Sequence, residues 1–196
     1  MNSARSLELP LFLLNTVLFP GGRLSLKMFE ARYVDMTSAC LRHERPFGVC
    51  LIRSGQEVGM AAAPADVGSL AWIRAADVPE PGIFRLQAEG GQRFVVEETW
   101  AAANNLLVAR VTLKPEEAPQ PLDAVFAPCM RLLQAVAQRH PEAGLEPLRD
   151  EMPWVGFRLA EILPFRLEVR QALLEMNDSR MRLQILLDFM LKQGLA

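Results

Sequence analysis

Leu9-Pro10-Leu11-Phe12-Leu13-Leu14-Asn15-Thr16-Val17-Leu18-Phe19-Pro20-Gly21-Gly22-Arg23-Leu24-Ser25-Leu26-Lys27-Met28-Phe29-Glu30-Ala31-Arg32-Tyr33 decides how this chain is read. An apolar strand enters, turns at Phe19-Pro20-Gly21-Gly22, returns as a second strand over Arg23–Lys27, and opens a helix near Phe29. Pro20 has no amide hydrogen for a sheet ladder, and Gly21 and Gly22 tolerate positive φ, so the chain must reverse there. The helix is predicted from Glu30 to about His43, with Tyr33, Met36, Thr37 and Cys40 or Leu41 on its inner face at 3/4 spacing.

Working outward, the front half continues as strands. In Ile83–Glu89, Phe84, Leu86 and Ala88 share one face while Arg85, Gln87 and Glu89 share the other, the period of a half-buried strand. Gly90-Gly91 then reads as a turn into a hairpin partner, Arg93–Glu97. Leu107–Leu113 is a further strand, and Phe47–Ile52 and Ser69–Ala75 add two more.

The character changes at Lys114. Lys114–Leu122 holds Pro115, Pro119 and Pro121 with Glu116 and Glu117, donates few backbone hydrogens and has little to bury, so it reads as a connector. Beyond it the period is helical: Ala124 to about Arg139, Trp154–Leu163 after Pro153, Leu167–Met176, and a last helix from about Arg180 to Lys192 capped from Asn177-Asp178-Ser179. Met181, Ile185, Asp188 and Phe189, with Leu186 and Met190, form the expected apolar face of that last helix. The expected organisation is a β-rich part over 1–114, a connector over 115–122 and a helical part over 123–196.

Composition narrows the function classes. The 196 residues suffice for one ordinary domain or two small ones. Hydrophobic residues make up 51%, and mean hydropathy is +0.12, leaving room for some apolar surface beyond a full core. With 21 basic and 23 acidic residues the net charge is −2, which supplies no bulk attraction for phosphate backbones or anionic membranes. Cys40, Cys50 and Cys129 are scattered and lack metal-ligand spacing with His43 or His140, so reduced thiols in a reducing compartment are expected. The apolar run at Leu9–Leu14 is interrupted by Pro10 and ends at Asn15, unlike a secretory signal, and no apolar stretch reaches the ~18–20 residues of a membrane span. A cytoplasmic protein is expected.

Several elements, in order, resemble the amino-terminal substrate-binding domain of Lon-type ATP-dependent proteases, which also occurs as a stand-alone bacterial protein. They are Phe19-Pro20-Gly21, then Phe29-Glu30-Ala31-Arg32-Tyr33 with Ala31 where the family usually has proline, then Val58-Gly59 and Val67-Gly68. Gly90-Gly91-Gln92-Arg93-Phe94 follows, and Leu163-Pro164-Phe165, Arg170–Glu175 and Arg182-Leu183 look like the closing helices. The resemblance implies an α+β fold: a PUA-like β-pseudobarrel with one inserted helix, followed by a helical bundle. It also implies recognition of polypeptide. The chain contains no Gly-x-x-x-x-Gly-Lys-[Ser/Thr] phosphate loop, so neither ATP-driven unfolding nor hydrolysis is expected of it.

Candidate chemistry is sparse. Cys40 and His43 lie three apart on one helix, yet at its carboxyl end, where the dipole disfavours a thiolate. Glu97 and Glu98 face opposite sides of a strand. No metal cluster, cofactor or catalytic set is expected. Within the family motifs, Glu30 is expected to complement the first helical turn and Arg32 to pair with a strand carboxylate. Phe19, Pro20, Phe29, Tyr33, Arg93 and Phe94 are expected to be structural, with Gly21, Gly59, Gly68 and Gly91 required by the backbone.

Trp72, Trp100 and Trp154, with Phe157 and Met152, are the candidate partner contacts, because aromatic and methionine side chains dominate adaptable interfaces. Packing is the ordinary role for such residues. The expected function is non-catalytic binding of an unfolded or extended polypeptide, or of a folded protein partner. It would act in an apolar groove where the two parts meet or by strand addition to an open edge. Self-association fits the apolar composition. The alternative is RNA binding on a PUA-like domain. All but three of the 21 basic residues (Lys27, Lys114, Lys192) are arginine, and that alternative would need Arg42, Arg45, Arg53 and Arg74 to cluster.

Overall fold

The computed structural model describes residues 6–54 and 63–195. The chain divides into two compact units, Met1–Glu116 and Glu117–Ala196.

The first unit holds strands β1 (Ser6–Leu14), β2 (Arg23–Met28), β3 (Phe47–Ser54), β4 (Ala63–Pro64), β5 (Val67–Glu80), β6 (Ile83–Ala101) and β7 (Leu107–Leu113), with helix α1 (Ala31–His43) inserted between β2 and β3. The strands neighbour one another in the order β1-β7-β6-β5-β3, and a parallel pairing of β1 with β3 closes this path into a ring. This is the mixed α+β architecture that the resemblance implies. Alternation along β1 feeds two cores. Leu9, Leu11 and Leu13 pack with Leu70, Phe94, Ala109 and Val111. Phe12 and Leu14, on the opposite face, pack with Tyr33, Met36 and Phe47. The buried face of α1 is Tyr33, Met36, Thr37 and Cys40, as its spacing predicts. Phe12 and Tyr33 meet edge to face with centroids 4.5 Å apart, a geometry that adds about 0.5–1.5 kcal/mol beyond the buried area.

Two strand expectations change. The strands on either side of the Phe19–Gly22 turn do not pair with each other: β1 pairs with β7 and β3, and β2 pairs with β6. The turn instead docks on β6, where Gly21 N–H donates to Gly90 O at 2.7 Å and Gly90 N–H donates to Gly22 O at 2.8 Å. Gly21 sits at φ 73°, the positive φ that the turn demands. Gly90-Gly91 is likewise no hairpin turn. β6 runs unbroken through it for 19 residues, and the reversal lies at Pro81-Gly82. The glycines mark a bulge: Ser69 pairs with Arg93 but Ala71 pairs with Gly90, so β6 carries one extra residue opposite β5. A side chain on Gly90 would collide with the docked turn, which is why glycine stands there.

The family-motif residues are placed as follows. Phe19 and Phe94 are fully buried, and Arg93 and Tyr33 are buried. Gly68 lies against Val49 O, where a β-carbon would fall 2.5 Å away. Gly59 and Val58 lie outside the described residues. Phe29 departs from its expected structural role. It is 60% exposed, because alternation after buried Met28 turns it outward. Glu30 is the α1 N-cap, but its side chain caps no amide. Its carboxylate pairs with Arg32 at 2.8 Å, and Arg32 also donates to Asn105 O at 3.1 Å, so the partner of Arg32 is local and not a strand acid.

The second unit contains α2 (Ala127–Arg139), entered through a short helical turn at Ala124–Phe126, then α3 (Met152–Ile162), α4 (Leu167–Glu175) and α5 (Ser179–Lys192). α3 is buried along most of its length and contacts each of the other three helices. Asp178 caps α5, accepting from Met181 N–H at 3.0 Å. The expected apolar face of α5 holds only in part, at Leu186 and Met190. Met181 and Ile185 are 57% and 42% exposed, whereas Leu183, Leu186, Leu187, Met190 and Arg182 are buried. Arg182 decides this orientation. Its guanidinium forks onto Glu117 at 2.5 and 3.1 Å, donates to Leu173 O and Met176 O, and lies 4.0 Å from the Phe157 ring centroid. Glu117, within the expected connector, is thus bound to Arg182 of this unit. A second buried arginine, Arg158, reaches Glu161 at 2.5 Å. Burial pushes the Glu161 carboxyl up, against the opposing charges of Arg158 and Arg170.

Candidate functional site

The stagger of β1 creates an opening in the ring. Leu11–Leu14 pair in parallel with Gly48–Leu51, while Ser6–Pro10 pair with β7. No strand among the described residues covers the other edge of Ser6–Pro10. The chain that would continue β3 backward is instead the link from α1, with Glu44 in the left-handed conformation at φ 50° and Arg45 N–H bonded to Cys40 O at 3.0 Å. Pro10 and Pro46 stand where the two strands part, and neither can donate to a ladder.

A cavity of about 610 Å³ occupies this seam. Leu7, Leu9, Pro10, Met36, Ala39, Leu70, Leu106 and Leu113 make it largely apolar, and Trp72 closes one side. Gly91 makes room for that indole: a β-carbon there would lie 2.9 Å from Trp72 Nε1. Polar groups come from Glu8, Cys40, His43 and Arg45. A volume of this size, apolar with a few polar groups, is what a ligand-holding pocket requires.

Burial pushes Cys40 up to about 11, so it stays protonated near neutrality, and His43 is exposed with no bond to it. Burial likewise raises Cys50 to about 12 and Cys129 to about 11. Among the described residues no three metal-ligating side chains gather, and no helix is long and apolar enough to cross a membrane.

Of the five contact residues expected from sequence, Trp72 lines the cavity. Trp100 is half-buried on β6 opposite Val108. Trp154 is half-buried on α3 in the other unit, where Met152 and Phe157 are buried, Phe157 beneath Arg182. Of the four arginines weighed for RNA, Arg53 pairs with Asp66 and Arg74 with Glu89. Glu8, Leu70 and Leu113 were not singled out by sequence, because no local pattern marks a gap between two parallel strands.

The model of the ATP-dependent protease La (LON) substrate-binding domain matches residues 8–192. The chain belongs to the Lon substrate-binding domain family. Among solved structures, the Lon N-terminal domain protein from Xanthomonas campestris is similar at 35% identity, with 93% of this chain and 98% of that one covered and a TM-score of 0.75. The N-terminal domain of Mycobacterium avium complex Lon protease shares the fold at 16% identity, with 92% and 96% covered and a TM-score of 0.63. Comparison with curated proteins yields no match. Within this Lon-type domain, the motif residues Phe19 to Tyr33 build the turn and helix that flank the ring, while the seam cavity draws on β1, α1 and β5.

Proposed function

We propose that this chain is a non-catalytic recognition module that holds polypeptide segments in extended form. The observation that carries this reading is the Ser6–Pro10 edge of β1, which no described strand covers, beside the Trp72-lined cavity. An extended segment can lay its backbone along such an edge while one apolar side chain enters the pocket, as in other strand-addition sites. Family membership supports the reading, since the matched domain is described as substrate-binding. Burial pushes the Cys40 thiol of this pocket up to about 11, which fits a non-catalytic role. A pocket that takes side chains one at a time discriminates little among sequences.

The test is titration with a labelled, permanently unfolded polypeptide by fluorescence anisotropy, with random-sequence RNA of similar length as comparator. Saturable polypeptide binding that persists in moderate salt, weakened by Trp72→Ala, is the expected result. RNA binding that collapses steeply with salt, with no polypeptide binding, would overturn it.

A further inference from the structure

The rim of the seam cavity carries more donors than acceptors. Trp72 offers its indole N–H, His43 its ring and Arg45 its guanidinium, while Glu8 is the one carboxylate in the lining. Among the described residues no hydrogen bond or ion pair engages any of these four side chains, whereas four other arginines of this unit are committed to acids: Arg32 to Glu30, Arg53 to Asp66, Arg74 to Glu89 and Arg110 to Glu98. A ligand that fits here must bring acceptor oxygens next to an apolar group.

Resting on the polypeptide reading above, we infer that the pocket takes the C-terminal residue of an extended chain. Its apolar side chain fills the cavity between Met36, Leu70 and Trp72. Its terminal carboxylate meets Arg45, with His43 beside it, and its backbone lies along the β1 edge. A mid-chain residue offers one neutral carbonyl at this point, whereas a chain end offers two oxygens and a full negative charge, which suits a forked guanidinium. Capture of a terminal carboxylate beside a strand edge that no described residue pairs combines two recurrent modes of peptide recognition. Glu8 also faces this pocket, from β1, and its charge opposes the incoming carboxylate. That opposition gives the assignment a sign that can be tested.

A short labelled peptide ending in Leu is titrated as free acid and as C-terminal amide against the full chain, Arg45→Gln and Glu8→Gln. Both side chains are exposed, so both variants fold, which circular dichroism checks. The free acid should bind about tenfold tighter than the amide, the scale of one charge-assisted hydrogen bond. Arg45→Gln should abolish that preference, and Glu8→Gln should increase it. Equal affinity for acid and amide, or a preference that survives Arg45→Gln, overturns end recognition while continued binding of the unfolded polypeptide leaves the broader reading standing. Loss of binding to both peptides and to the unfolded polypeptide overturns both.

Discussion

Gly90 lies so close to Phe19 that a β-carbon on it would fall 2.1 Å from the Phe19 carbonyl oxygen. The contact joins the turn that opens the fold to the bulge at the middle of its longest strand. Both sides of it are backbone, so neither can swing away as a flexible side chain would. Gly90→Ala should therefore destabilise the chain by about 3 kcal/mol, the upper end for overpacking. The urea unfolding midpoint measures this, and an unchanged midpoint would mean that the turn does not dock on β6.

Arg182 is fully buried and holds Glu117 from 65 residues away. Arg182→Met strands that carboxylate without its partner and should cost about 3–5 kcal/mol. Adding Glu117→Gln should recover part of the loss. Recovery stays incomplete because Leu173 O and Met176 O still lack their donor. A double-mutant cycle by denaturant unfolding reads the coupling, and strict additivity would contradict the network.

Phe29 invites the opposite expectation. A residue 60% exposed contributes little to packing, so Phe29→Ala should change stability by no more than about 0.5 kcal/mol. A large loss would place it in the core.

The three thiols give a pH signature. Their folded values of about 11 to 12 exceed the ordinary 9.0, so the folded state favours the neutral thiol. That contribution is complete below pH 9 and is lost as pH climbs through 11 to 12. The unfolding midpoint should fall across this window, and Cys50→Ala should flatten part of the fall. At pH 8 a thiol reagent should label the native chain slowly and the unfolded chain quickly; rapid native labelling would contradict the burial.

The sequence by itself determined the local elements. The 3/4 spacing of Tyr33, Met36 and Cys40 set the buried face of α1, Asp178 set the start of α5, and alternation set β7 over Leu107–Leu113, because each depends on neighbours within a turn or two of chain. The Phe19-Pro20-Gly21 and Phe29–Tyr33 motifs carried the family. Only the tertiary structure decided that Gly90-Gly91 is a bulge and not a turn, since the same glycine pair serves either purpose until a second segment docks against it. It also decided the face of α5. Periodicity counts apolar residues and places arginine outside, whereas Glu117 supplied the charge that lets Arg182 go in while Met181 and Ile185 stay out. The seam cavity belongs to the same class. It exists because β1 and β3 pair in parallel from Leu11 and Gly48 onward and part before them, and the register between strands separated by a helix is fixed by long-range packing that no local spacing encodes.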